Sequence, residues 1–344
     1  LKALALTGLK RLEFMEVPQP QIKNDTDVLL KIAAVGICGS DIHYYEDGKV
    51  GTQVVIYPYR IGHECSAIVQ QVGKAVKNVK VGDKIVVEPA VSCHKCDQCK
   101  MGRENTCRKL QFLGTPGQGD GCLCEYLVMP EEACLVINDK LTLIQAALCE
   151  PFTIGLYSAK QGQSANSEKI AILGSGPIGL SCMTAAKLLG AKKIYMTDKL
   201  DYRLAVAKKQ GAHWTGNPDK NDIVKEISEL EPLGVDVVYE CAGQQSTIDE
   251  GIKLLRPGGK IVFVGIPREN RIAVSIDQTR RKEITIVNIR RQNRSTHESI
   301  EIMAQKKVNV DFLVSHKFAF KDAIKAFEIA AGYKDGVLKA MIEF

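Results

Sequence analysis

No apolar run in the 344-residue chain approaches the roughly 18 residues that a bilayer-crossing helix needs, so no membrane partner is expected. No secretory leader pattern opens the chain; Leu1 is read as a start whose initiator methionine is missing or removed. A net charge of only +6, without a basic block, argues against nucleic-acid binding. Internal repeats and low-complexity segments are also lacking. What remains is an ordinary globular composition, 45% hydrophobic and 25% charged. The chain is too long for one typical core, so two domains are expected. Twelve cysteines without a secretory signal point to a reducing compartment, and a cytoplasmic protein is expected.

Four of those cysteines fall close together, Cys93, Cys96, Cys99 and Cys107, with the spacing C-x2-C-x2-C-x7-C. Zinc takes four thiolates tetrahedrally, and two-residue gaps let one loop wrap around it. Disulfides are disfavoured, because pairs this close compete with one another.

The first third of the chain reads as short strands, at Lys2–Leu6, Leu12–Val17 and Val28–Val35, punctuated by glycines. Many short strands with glycine turns suggest a barrel or sandwich. After about residue 150 strands and helices alternate. Strands are expected at Lys169–Leu173, Lys193–Thr197, Val235–Tyr239 and Lys260–Val264, and helices at Pro177–Leu189, Tyr202–Gln210 and Ser246–Leu255. That alternation predicts a parallel, doubly wound sheet. The tail, with helices at Glu298–Gln305 and Asp322–Ala330 and strands at Leu313–Phe318 and Val337–Glu343, is expected to return and complete the first domain.

Gly174-Ser-Gly176-Pro177-Ile178-Gly179 follows the Lys169–Leu173 strand and opens a helix. The first glycine makes the turn, the second admits a pyrophosphate, and the third lets helix pack on strand; the helix N-terminus attracts the anion. Asp198 ends the next strand, nineteen residues past Gly179. Its carboxylate suits two ribose hydroxyls and repels a 2′-phosphate, so NAD is expected rather than NADP. Lys199 and Arg203 lie near enough in sequence to soften that preference.

A second metal constellation is written more faintly. Cys38 follows a strand, His63-Glu64 precedes one, and Glu150 stands before Pro151 where the two domains meet. Thiolate, imidazole and carboxylate together make a catalytic type of zinc site with one position left open. Taken singly, Cys38 also reads as a small buried hydrophobe and Glu150 as a surface cap.

The strings G-I-C-G-S-D-I-H-Y-Y, G-H-E, the four-cysteine loop, A-L-C-E-P-F and G-S-G-P-I-G occur here in order. Together they resemble the zinc-dependent medium-chain dehydrogenases, and within them the polyol branch of sorbitol, xylitol and L-arabinitol dehydrogenases. The resemblance covers essentially the whole chain. It implies an α/β two-domain fold: a GroES-like, β-rich catalytic domain at 1–152, completed by 289–344, and a Rossmann NAD-binding domain at 153–288. It implies Cys38, His63 and Glu64 as catalytic zinc ligands, with Glu150 holding the metal-bound water or closing on the metal. Cys149, one position away, is the rival to Glu150. Cys93, Cys96, Cys99 and Cys107 match the structural zinc of the family.

The chemistry so implied is oxidation of a secondary alcohol to a ketone, with zinc as Lewis acid and hydride passing to the nicotinamide. Ser40 and His43 fall where related enzymes place a relay hydroxyl and imidazole; a surface or ribose-contacting role for His43 stays open. Tyr44 and Arg294 match polyol-contacting positions. Asn293 and Ser295 depart from the aromatic neighbours found there, and Arg290 and Arg291 admit a phosphorylated or acidic polyol. Ile178, Asp198, Arg203, Val264, Gly265 and Ile266, with the Gly-rich turn, fall at NAD contacts. A homotetramer, or a dimer, is implied. The rival readings are a threonine 3-dehydrogenase or sugar-alcohol-phosphate dehydrogenase of the same family, a zinc-free quinone reductase, or a binding protein without activity.

Overall fold

The computed structural model of the chain describes residues 1–164 and 167–344. The chain divides into two compact units. The first comprises Leu1–Glu150, Thr296–Lys306 and Leu313–Phe344; the second comprises Pro151–Ser295 and Lys307–Phe312. These limits lie two to seven residues from the boundaries expected at 152 and 289, and 307–312 goes with the second unit.

The first unit is built on one strand, Asp27–Gly36. Its residues are buried almost without interruption because it has neighbours on both edges. Glu64–Val72 pairs antiparallel along one edge. Tyr126–Pro130 covers the start of the other edge and Lys339–Glu343 its end. The sheet continues outward through Lys84–Val87 and Cys134–Val136 on one side and Val314–Ala319 on the other. The core gathers around Leu30, Ile32, Ile61, Leu123 and Phe327, all essentially inaccessible. The chain's tail thus supplies a strand beside Ala34–Gly36.

The second unit is a six-stranded parallel sheet. Its order is Trp214–Gly216, Lys193–Thr197, Lys169–Leu173, Val235–Glu240, Leu255–Phe263 and Thr285–Asn288. The central strand, K-I-A-I-L, is apolar on both faces because helices cover both faces of such a sheet. Helices Pro177–Leu188, Asp201–Lys209 and Gln245–Leu254 supply the crossovers. Strand order reverses at Lys169–Leu173, the switch point where ligands bind in open α/β sheets. Among the described residues, no helix is long and apolar enough to cross a membrane.

Candidate metal centres and dinucleotide site

Three strand ends meet at Gly36. In register it faces Glu64 on one side and Met341 on the other. A Cβ at position 36 would run into the Glu64 carboxylate, so glycine leaves the room that carboxylate occupies. Two residues on, Cys38 is the N-cap of the helix Gly39–Asp47, with extended backbone and a capping box shared with Asp41. His63 lies at the entry to the Glu64–Val72 strand. The ligand atoms of Cys38, His63 and Glu64 lie within 4.8 Å of one another.

Asp41 organises this group. It is fully buried, and its Oδ2 accepts the Cys38 N–H at 3.0 Å. Its Oδ1 accepts the Gly62 N–H at 3.1 Å and lies 3.6 Å from His63 Nδ1. One carboxylate therefore fixes the backbone beside two candidate ligands and orients the ring of one, the usual arrangement around a metal-binding histidine. Phe112 packs on that ring, centroids 5.4 Å apart. Burial works against charge on His63, yet Asp41 and Cys38 beside it hold its pKa well above the ordinary value. Behind Glu64, Lys339 is also buried; its Nζ contacts Glu64 Oε2 and donates to the Ile37 carbonyl at 3.2 Å.

Glu150 is no surface cap. It is buried inside the helix Leu143–Gly162, although it stands outside the 4.8 Å group. Burial pushes its pKa up to about 8; His63 and Lys339 pull against this, and Glu64 and Glu88 add to it. Its neighbour Cys149 is turned elsewhere: the thiol contacts the Gln145 carbonyl and Met303 Sδ, both at 3.6 Å. Ser40, His43 and Tyr44 share the helix that Cys38 caps. Ser40 and His43 are half-buried at i, i+3 spacing, and His43 Nδ1 lies 3.3 Å from Asp47 Oδ2. The Tyr44 hydroxyl is held by Gln53 at 3.3 Å.

The four-cysteine loop forms a second group of the same compactness. Cys96 caps the short helix Asp97–Lys100, Cys99 lies within it, and Cys107 follows a single 3-10 turn. The sulfur of Cys96 is 3.5 Å from that of Cys99 and 3.9 Å from that of Cys107. Tetrahedral zinc with bonds of about 2.3 Å requires sulfurs about 3.8 Å apart, so the set fits the ion. N–H groups of Arg108 and Cys99 draw the Cys96 thiol down to about 6, while burial pushes Cys99 up to about 12. Arg108 clamps Asp97 through two bonds of 2.6 and 2.8 Å, closing the loop on itself. All twelve cysteines are free thiols.

In the second unit Gly174 takes φ +108°, and Gly176 caps the helix that Pro177 begins. A Cβ on Gly179 would collide with the Gly174 carbonyl. Asp198 accepts the N–H groups of Ser175 at 2.8 Å and Leu200 at 2.9 Å, so its carboxylate is fixed beside the turn. Arg203 stands 3.7 Å from that carboxylate, and Lys199 pairs with Asp219 at 3.3 Å. Ile178 is half-buried in the first turn of the helix. Val264 and Gly265 donate their N–H groups to the Glu240 carbonyl, and Ile266 beyond them is half-exposed. The Glu240 carboxylate binds the N–H groups of Ala242 and Gly243 and the Thr247 hydroxyl, anchoring the neighbouring loop. Arg294 is exposed at φ +54°, past the end of the last parallel strand, and Arg290 is exposed with it. The backbone of Ser295 turns onto Gln292, 2.8 Å away, and its hydroxyl onto the Asn293 carbonyl.

Asp41, Lys339 and Glu240 were not singled out in the sequence. Asp41 was within reach, since it sits inside the G-I-C-G-S-D string. Lys339 carries no local signal at all.

A β-rich unit with clustered thiolate, imidazole and carboxylate, joined to a doubly wound sheet with a phosphate-binding turn, defines a metal-binding, nucleotide-dependent oxidoreductase. Residues 24–139 match the alcohol dehydrogenase GroES-like domain and residues 177–305 the zinc-binding dehydrogenase domain. The chain is 38% identical over 343 residues to a sorbitol dehydrogenase of Bacillus subtilis, covering 99% of this chain and 97% of that one. It is 36% identical to a probable D-xylulose reductase A of Aspergillus fumigatus, covering 96% and 94%. A solved structure, an oxidoreductase/dehydrogenase of unknown specificity from Escherichia coli, superposes with a TM-score of 0.93 at 31% identity, over 99% and 98% of the chains. The chain belongs to the zinc-dependent dehydrogenases, with a GroES-like domain and a Rossmann domain.

Proposed function

We propose that this dehydrogenase is NAD-linked and oxidises a secondary hydroxyl of a sugar alcohol, of the sorbitol, xylitol or L-arabinitol type, to a ketose. The observation that carries the reading is the buried sulfur, nitrogen and oxygen donor set of Cys38, His63 and Glu64. Similarity to a sorbitol dehydrogenase along nearly the full length supplies the substrate class. The same donor set weighs against a zinc-free reductase.

Cys38, His63 and Glu64 hold the catalytic zinc, with Glu150 as the further carboxylate. When bound, zinc supplies Lewis acidity that makes an alcohol easier to deprotonate. Ser40, in the first helical turn after Cys38, would relay the alcohol proton by releasing its own hydroxyl proton to water as it accepts the new one, and His43, 3.3 Å from Asp47, would extend that path. Tyr44 and Arg294 bind substrate hydroxyls. Glu150, whose burial favours its neutral form, keeps the pocket's charge down when no cation balances it. Cys93, Cys96, Cys99 and Cys107 would hold a second zinc with four thiolates, a set that supplies structure and no chemistry.

The turn Gly174–Gly179 receives the dinucleotide phosphates and Asp198 the adenosine ribose, with Ile178, Arg203, Val264, Gly265 and Ile266 around it. NAD is favoured because a fixed carboxylate there repels a 2′-phosphate, and because Lys199 and Arg203 are drawn to carboxylates. Assembly into a tetramer or dimer is supported by the exposed edge strand Thr285–Asn288, where Ile286 is 39% exposed. Twelve free thiols support a cytoplasmic setting.

The test is a steady-state panel of sorbitol, xylitol, L-arabinitol, galactitol phosphate and L-threonine with NAD and with NADP. Turnover of a free polyol with NAD is expected. Inert polyols beside turnover of threonine or the phosphate would overturn the substrate assignment.

A further inference from the structure

Lys339 is a buried cation touching the proposed catalytic site, and neither the sequence motifs nor the relatives' names assign it a role. It comes from the last strand of the chain, and only 2% of its surface is exposed. Burying an ammonium is unfavourable unless partners compensate it. Its partners are two: the Ile37 carbonyl, one residue before Cys38, and Oε2 of Glu64. The ammonium therefore grips the backbone leading to one candidate ligand and the side chain of another.

We infer that Lys339 is a positioning residue for the catalytic metal: it holds Glu64 through Oε2 and leaves Oε1 alone for the ion. The inference rests on the metal site proposed above. The pocket gathers the Cys38 sulfur and the buried carboxyls of Asp41, Glu64 and Glu150, and Lys339 sets a buried ammonium against them. Without Lys339, Glu64 gains a second free oxygen with which to chelate the ion. Gly36 and Lys339 bear on the same carboxylate oxygen, glycine by leaving room and lysine by filling it with an opposite charge.

The experiment compares wild type with K339M, K339Q and K339R by metal analysis, by the rate of zinc transfer to a chromophoric chelator, and by the absorption spectrum after cobalt substitution. K339M and K339Q are expected to lose the catalytic metal at least about tenfold faster, while the four-thiolate metal and NAD affinity stay unchanged. Their cobalt spectrum should shift as the carboxylate coordination changes, and kcat should fall more than KM rises. K339R is expected to stay within about threefold of wild type. Wild-type release rates and an unshifted spectrum in folded K339M or K339Q would overturn the role of Lys339. The zinc-loaded wild-type crystal structure tests the same point without any variant. Glu64 divided between metal and Lys339 supports the inference; Glu64 chelating through both oxygens refutes it. A wild-type protein that binds metal only at the four cysteines would instead overturn the catalytic site itself.

Discussion

Residue 36 shows how a candidate metal pocket depends on a side chain that is missing. Gly36 needs no unusual backbone here; it is glycine because the Glu64 carboxylate lies where a Cβ would be. Gly36→Ala is therefore expected to push Glu64 aside, with an overpacking cost of about 1–3 kcal/mol. Catalytic metal retention and turnover should each drop at least about tenfold while NAD binding is unchanged, as metal analysis and dinucleotide titration would register. Wild-type metal content in G36A would refute the steric argument. Cys38, His63 and Glu64 were legible in the sequence because each sits in a short string with its own chemistry, and the four cysteines because their spacing is self-sufficient. Lys339 was not legible. It lies 275 residues from Glu64, and only the pairing of the last strand with the third brings them together. A buried lysine in K-A-M-I-E looks the same in sequence as any lysine opening a strand.

Elements of the parallel sheet were the easiest to read. Lys169–Leu173 and Lys193–Thr197 fall where expected, since each is a short apolar run with a glycine or aspartate at its end. The helix Leu143–Gly162 was missed because Pro151 interrupts it and its apolar residues are too dense to show a face. The helix Gly39–Asp47 was also missed: its opening Gly-Ser reads as a turn, and its cap is a cysteine in place of the usual Ser, Thr or Asp. One link between elements makes a pH prediction. Glu231 caps the end of the helix Ile223–Leu230 and meets Lys169 and Lys193, each from a different strand, and the Tyr195 hydroxyl. Burial alone would raise its pKa, but the two lysines and the tyrosine draw it down to about 2. A depressed folded value means that the stabilisation is complete above the ordinary value of 4.5 and is withdrawn as pH falls towards about 2. Glu231→Gln should therefore be less stable than wild type at neutral pH, with the gap closing below about pH 4.5. Urea unfolding at a series of pH values measures this, and a gap that stays constant down to pH 2.5 would dismiss the ion cluster as its source.

At the scale of the whole molecule, each unit carries its own ligand chemistry. Both candidate metal groups belong entirely to the first unit, and the phosphate-binding turn with Asp198 to the second. The thiolate loop also has its own small apolar cluster, Cys99 and Cys107 with Leu110, and its own clamp from Arg108 to Asp97. Loss of its metal should therefore be a local event that leaves dinucleotide affinity intact. Cys107 is the ligand to remove, because its sulfur also accepts the N–H groups of Cys93 and Lys109 and so ties both ends of the loop. Cys107→Ser is expected to lower bound zinc by about one equivalent per chain, since a structural site needs all four ligands. Its thermal midpoint should fall, and protease should cut within 93–109 where wild type resists. NADH titration should give a dissociation constant within about twofold of wild type, because the residues proposed to cradle the dinucleotide share no element with the loop. Weaker NADH binding in a folded C107S protein, in proportion to the zinc lost, would mean that the two units are energetically coupled.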